Sequence, residues 1–208
     1  MVFLPRERGE YRGIGLVDVV WKVNAMVIKF CQKRSVAIHD ALHGFRTGMD
    51  MGTTTLEAKL AQQLAGIAHE PLFQIFLNVR KAYDSLDRGW CMENLRGYGM
   101  GQNTARLIAH HLDNLIFSPK AKRFLGTPLD MGRGVTQGYP ASPMIFNIVV
   151  DAVVIATLEV VCGPKEARLG MRWAEGEHNL ILYADYGRIG GREYIWLQDA
   201  LPVSVAMF

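Results

Sequence analysis

The sequence predicts an α+β fold in which helices cover one face of a small antiparallel sheet. Three observations lead there. The run LFQIFLNV is dense in Phe, Ile, Leu and Val, follows Pro71 and is too short for a typical helix, so it predicts a buried strand over residues 72–79, with Asn78 at its end. A long apolar stretch opening on Ser142 and Pro143, in N-cap and N1 positions, predicts a helix to about Val161 that Gly163 and Pro164 end. The segment NLILYADYGRIGG shows an apolar strand, a polar break at Asp185 and Tyr186, and a short glycine-rich strand, which predicts a β-hairpin with the aspartate at its tip.

The remaining elements fill in around these three. GTTTLEAKLAQQLAGIAHE predicts an amphipathic helix: Thr54 and Glu57 have capping-box spacing, and Leu56, Leu60, Leu64 and Ile67 recur at helical intervals before Pro71. Asp87 is placed to cap a helix over DRGWCMENLRGYGM that stops near Gly97 or Gly99, and Asn103 to cap a second over TARLIAHHLDNLI. KRFLGTPLDMGRGVTQGYPA reads as a loop. No internal repeat and no low-complexity stretch interrupts the pattern.

Composition narrows the class. With 208 residues, half of them hydrophobic and 21% charged, the chain can bury one ordinary core or two small lobes, which excludes disorder. The longest apolar run, Ile145 to Cys162, is broken by Asn147, Asp151 and Glu159, so no transmembrane helix is expected. The opening MVFLPRERGEYRG lacks the basic-then-apolar order of a secretory signal, and an intracellular location is expected. Cys31, Cys91 and Cys162 are odd in number and far apart, which argues for buried thiols over disulfides or zinc. The net charge of +3 says little, but its distribution says more. Residues 101–150 carry Arg106, Lys120, Lys122, Arg123 and Arg133 against Asp113 and Asp130, whereas residues 151–208 hold eight acids against five bases. A basic middle beside an acidic end suits a phosphate backbone next to a metal site, and equally a solvated face without a partner.

Three segments carry chemistry: FLNVRKAYDSLDR at the end of a strand, GRGVTQGYPASPMIFN joining a glycine-rich loop to a helix, and LYADYGRIGG at the hairpin. In that order they resemble the three palm motifs of reverse transcriptases, especially those of non-LTR retrotransposons and group II introns, whose usual forms are F-x-D-x-x-x-A-[FY]-D, Q-G-x-P-x-S-P and Y-A-D-D. Upstream, YRGIGLVDVVWKV and LHGFRTG look like two finger motifs of the same family, so the resemblance spans roughly residues 11–193. It implies a reverse-transcriptase-like palm, a small antiparallel sheet packed on helices, over residues 71–208, with partial fingers over residues 1–70. A complete polymerase of this family continues past the hairpin into further palm segments and a helical thumb, which are expected to be absent here.

The resemblance also implies an activity, RNA-directed DNA polymerisation with Mg²⁺, an RNA template, a DNA primer and deoxynucleoside triphosphates. Two Mg²⁺ ions can stabilise the attacking and leaving oxygens of an in-line displacement at phosphorus, and such ions want hard carboxylate oxygens converging from separate segments. The sequence departs from the pattern at this point. Asn78 stands where the first motif places its leading aspartate and Tyr186 where the hairpin places its second, leaving Asp185 alone of three carboxylates. An amide oxygen and a neutral phenol supply no charge to hold a divalent ion. Asp84 and Gly138 match supporting positions. By resemblance Tyr83 would lie under the incoming sugar, Gln137 against nucleotide or template, and Arg46 and Lys22 in the fingers near phosphates. Thr136 and Tyr139 vary from the commoner residues of their motif. Two readings stay open: an impaired polymerase fragment, or a non-catalytic relic that keeps a nucleic-acid groove.

Overall fold

The computed structural model describes residues 1–5, 11–32, 36–121, 124–162, 178–191 and 198. Its backbone contacts divide the chain into two compact units, Met1–Val36 with Tyr83–Ile148, and Ala37–Ala82 with Val149–Phe208.

The first unit contains β1 (Val2–Pro5), β2 (Tyr11–Ile14) and α1 (Val19–Gln32). After α3 (Ala82–Ser85), which opens this stretch, come α4 (Arg88–Gly97) and α5 (Gln102–Asp113). Four two-residue strands follow: β4 (Ile116–Phe117), β5 (Lys120–Ala121), β6 (Phe124–Leu125) and β7 (Leu129–Asp130). β1 pairs antiparallel with β2 and parallel with β5, β5 pairs with β6, and β4 pairs with β7. The stretch expected to be a loop therefore carries short pieces of strand.

Asp87 caps α4 as predicted, its carboxylate accepting from the Trp90 N–H at 2.8 Å. The helix ends at Gly97, and Gly99 beyond it takes a φ of +82°. Asn103 does not cap α5; Gly101 occupies the N-cap position and, having no side chain, makes no side-chain cap hydrogen bond. That helix also stops at Asp113, because Ile116 and Phe117 leave it to pair with β7. Its inner face, Ala105, Ile108 and Leu112, is fully buried, as is Leu95 of α4.

The longest helix, α6 (Ser142–Cys162), begins where predicted, although the Ser142 hydroxyl donates to the Thr136 carbonyl at 2.7 Å instead of capping the helix. Gly163 and Pro164, expected to end it, lie outside the described residues. Ile145, Phe146, Ile148, Val149, Val150 and Val154 are all essentially enclosed, each burial contributing roughly 1.5–3 kcal/mol. Among the described residues α6 has one stretch, Ser142–Glu159, long and apolar enough to cross a membrane, yet 67% of it is buried within the protein, as in a core helix.

The second unit holds α2 (Met51–Ala68), β3 (Phe73–Asn78) and the hairpin of β8 (His178–Tyr183) and β9 (Tyr186–Gly191). Its sheet is antiparallel throughout, in the order β3-β9-β8. The predicted strand and hairpin are both present. α2 is a helix too, but Asp50 caps it, accepting from the Thr53 N–H at 2.7 Å, and the proposed capping box at Thr54 and Glu57 does not form. Glu57 instead reaches His43, while the Thr54 hydroxyl donates to the Asp50 carbonyl at 2.9 Å and also meets the His43 ring. The apolar stripe Leu56, Leu60, Leu64 and Ile67 is 44–77% exposed, so helical periodicity identified a shared face that the described residues do not cover. Of the cysteines, Cys91 is buried, its thiol pushed up to about 12 chiefly by burial, whereas Cys31 is exposed, against the expectation of a buried thiol.

Candidate active site

Strand pairing assembles the first group of predicted residues. In the β3–β9 register Asn78 lies directly opposite Tyr186, and across the hairpin Tyr183 lies opposite Tyr186. The Val79 N–H donates to the Asp185 carbonyl at 2.8 Å, which ties the end of β3 to the hairpin tip. Directly paired residues share a face of the sheet, with Cβ atoms roughly 4.5–5.5 Å apart, so Asn78 and Tyr186 are neighbours beside Asp185. Asn78 is exposed, Asp185 half-buried, and Tyr186 is 53% exposed.

The tip itself is a strained turn. Ala184, first of the two loop residues, has a φ of +54°, the sign that primed hairpin turns require and that costs a non-glycine residue about 1–2 kcal/mol. A neighbouring loop holds it there. The His43 N–H donates to the Leu182 carbonyl at 2.8 Å, the Leu182 N–H donates to the Ala41 carbonyl at 2.8 Å, and Leu42 bridges Leu182 in parallel. Gly44 must be glycine, because a Cβ there would stand 2.4 Å from the Ala184 nitrogen.

That loop is fixed in turn by α2 and α6. The buried His43 ring has Nδ1 3.1 Å from Thr54 Oγ1 and Nε2 3.4 Å from Glu57 Oε2. The His39 N–H donates to Oδ1 of the buried Asp151 at 2.7 Å. Sequence reasoning missed His43, Gly44 and Asp151 as supports of the hairpin; only the G-F-R motif pointed to their neighbourhood. Arg46, assigned to phosphates, turns into its own loop, donating to the His39 and Leu42 carbonyls at 3.0 and 3.1 Å and pairing with Asp40 at 3.3 Å.

A second group assembles in the first unit. Tyr83 stacks on Phe146 of α6 with ring centroids 4.9 Å apart. The glycine-rich loop is bonded beneath it: the Val135 N–H donates to the Tyr83 carbonyl and the Gly134 N–H to the Leu86 carbonyl, both at 2.9 Å. Gly134 has a φ of +80°, and a Cβ on it would meet Asp84 and Tyr83 backbone at 2.7 Å. Gly138, at φ +110°, passes so close to β2 that a Cβ would stand 2.3 Å from the Gly15 carbonyl oxygen, while the Gly15 N–H donates to the Gln137 carbonyl at 2.7 Å. Arg88, also missed, ties the loop to α4 by donating to the Gly134 and Met131 carbonyls.

The variant Tyr139 is absorbed by packing. It lies against His111, which lies against Trp21, with centroids 4.4 and 4.3 Å apart. Burial pushes the Tyr139 phenol up to about 12 and holds the His111 imidazole below its ordinary value. Asp84 is exposed, and Lys22 is half-buried on α1.

These residues do not fit a pair of magnesium ions. One carboxylate, one neutral amide and one phenol meet at the sheet end, and among the described residues no three His, Cys, Asp or Glu side chains gather as a metal cluster. Arg188 is buried two residues along β9 on the same face as Tyr186.

An antiparallel sheet ending at a hairpin tip, and a glycine-rich loop leading into a core helix, are the elements expected of a reverse-transcriptase-like palm. The family described as reverse transcriptase (RNA-dependent DNA polymerase) matches residues 4–191, and the chain belongs to that family. It is 29% identical over 109 residues to the retrovirus-related Pol polyprotein from type-2 retrotransposable element R2DM of Drosophila melanogaster, a match covering 52% of this chain and 10% of that protein. Its fold is similar to telomerase from Candida tropicalis, solved in complex with a TWJ fragment of telomeric RNA, with a TM-score of 0.58 at 12% identity, over 96% of this chain and 37% of that one. Telomerase from Candida albicans, solved with the same kind of fragment, gives a TM-score of 0.56 at 13% identity, over 88% of this chain and 30% of the other. At such identities the likeness is one of fold. The chain thus spans about a tenth of the curated relative and about a third of the solved structures.

Proposed function

We propose that this chain is the fingers and palm of a reverse transcriptase whose nucleotidyl transfer is impaired by loss of charge at the metal site. The observation that carries the reading is the pairing of Asn78 with Tyr186 beside Asp185: the backbone arrangement of the site is kept while two of its three acids are gone. The substrates on this reading are an RNA template, a DNA primer and deoxynucleoside triphosphates, with Tyr83 under the sugar and Gln137 against the nucleotide or template. On this reading Asp185 is the one metal ligand left, too little charge to hold Mg²⁺ firmly, and Asp84 and Gly138 occupy the supporting positions of their own motifs.

The test is primer extension and metal titration on one preparation. The chain as it stands should extend a primer little with Mg²⁺, and Asn78→Asp with Tyr186→Asp should tighten Mg²⁺ or Mn²⁺ binding. Equal metal affinity in both proteins rejects the account.

A second reading, a binding module without catalysis, draws on the exposed Arg106, Lys120 and Arg133 of the first unit. It predicts primer-template binding that weakens steeply with salt. Absence of binding at low salt removes it.

A further inference from the structure

We propose that the second unit contains a binding site for a small amphiphile with an apolar body and a single carboxylate head, in a cavity between its sheet and α6. The cavity measures about 300 Å³, and its described lining residues all belong to this unit. Its origin is a shortage of side-chain length. α6 presents Val150, Val153, Val154 and Thr157 toward it at helical spacing, all short and β-branched. The opposing sheet face presents Leu77, Leu180 and Ile189 around Gly187, which has no side chain to give. Interiors normally close such gaps to near crystal density, so space of this size is available to a guest.

The lining decides which guest. Thr157 has its hydroxyl proton committed to the Val153 carbonyl at 2.8 Å, and the walls around it are aliphatic. Ordered water needs two to four polar partners, which the described walls do not offer, so the interior favours an apolar body. The volume sits at the lower end of the roughly 300–1,000 Å³ of small-molecule sites, enough for one ring and a short chain.

Among the described lining residues, polarity enters at one end. Asn78, Val79 and Arg80, where β3 stops, complete the lining. Arg80 is exposed and makes no ion pair among the described residues, so its guanidinium can meet a carboxylate in a forked geometry. Apolar walls with one cation at the mouth select a monocarboxylate over both a bare hydrocarbon and a polyanion. The site borders the sheet end of the polymerase reading but does not depend on that reading.

The test uses phenylbutyrate, with uncharged phenylbutanol as its control, titrated into the full chain and followed by NMR shifts of the lining methyl groups. Phenylbutyrate should bind saturably and about tenfold more tightly than the alcohol, the size of one charge-assisted hydrogen bond. Arg80→Ala should bring the two to equal affinity. Val153→Phe, which fills the space, should abolish binding of both, and the milder Val154→Leu should weaken both, so a folding defect in the first variant leaves the second to decide. Absence of saturable binding, or affinities unmoved by Val154→Leu, overturns the site. Equal affinity of acid and alcohol in the unaltered chain overturns the carboxylate head.

Discussion

The hairpin tip and the glycine-rich loop each hold residues of the proposed site, and the fold constrains them differently. At the tip, Asn78 and Tyr186, which on the proposed reading stand in place of acids, are paired directly by the strand register. In the loop, Gly134 and Gly138 remain where a Cβ would strike backbone, and Tyr83 remains stacked on Phe146. The difference lies in what each position does for folding. A carboxylate that serves only a metal is exposed and contributes nothing to packing, so its loss leaves the fold alone. A glycine pressed against a neighbouring strand cannot change without moving that strand.

The comparison can be broken or sharpened by stability measurements. Gly138→Val should have the largest effect, about 3 kcal/mol or more, since it combines strain at positive φ with a clash against Gly15; chemical denaturation reads it directly. Arg88→Met should cost about 2 kcal/mol by leaving the Gly134 and Met131 carbonyls without their charged donor. Asp87→Ala should cost about 1 kcal/mol, the usual loss for a helix cap, seen as a lowered denaturation midpoint.

His111 adds a dependence on pH. Burial lowers its folded pKa below 6.5, so the unfolded chain takes up the proton first as pH falls. Stability present above the ordinary value is therefore lost as pH drops through 6.5, and the loss levels off below the lowered folded value. His39 is lowered as well, again chiefly by burial, and acts in the same direction in the second unit. Melting curves from neutral to mildly acid pH should show a smaller slope for His111→Phe. Smallest of all, Asn78→Asp and Tyr186→Asp should each change stability by about 0.5 kcal/mol or less, because both positions are exposed. A large effect there would erase the contrast.

Local chemistry made much of this readable in the sequence. Asp87 as a cap, the strand ending on Asn78 and the hairpin tip at Asp185 all follow from neighbours within a few residues. Long-range partners were not readable. Thr54 and Glu57 have the spacing of a capping box, but a histidine eleven residues before Thr54 meets both. The exposed stripe of α2 shows that periodicity tells which residues share a face and not what covers it. Arg46 looked like a phosphate ligand because its loop-closing bonds go to main-chain carbonyls, which no motif displays.

The central claim is that the site keeps its geometry and lacks its charge. Calorimetric titration of Mn²⁺ into the unaltered chain and into the Asn78→Asp, Tyr186→Asp variant tests it most directly. Two restored carboxylates beside Asp185 should tighten binding by about tenfold or more. Indistinguishable isotherms would mean that these three positions do not form one site.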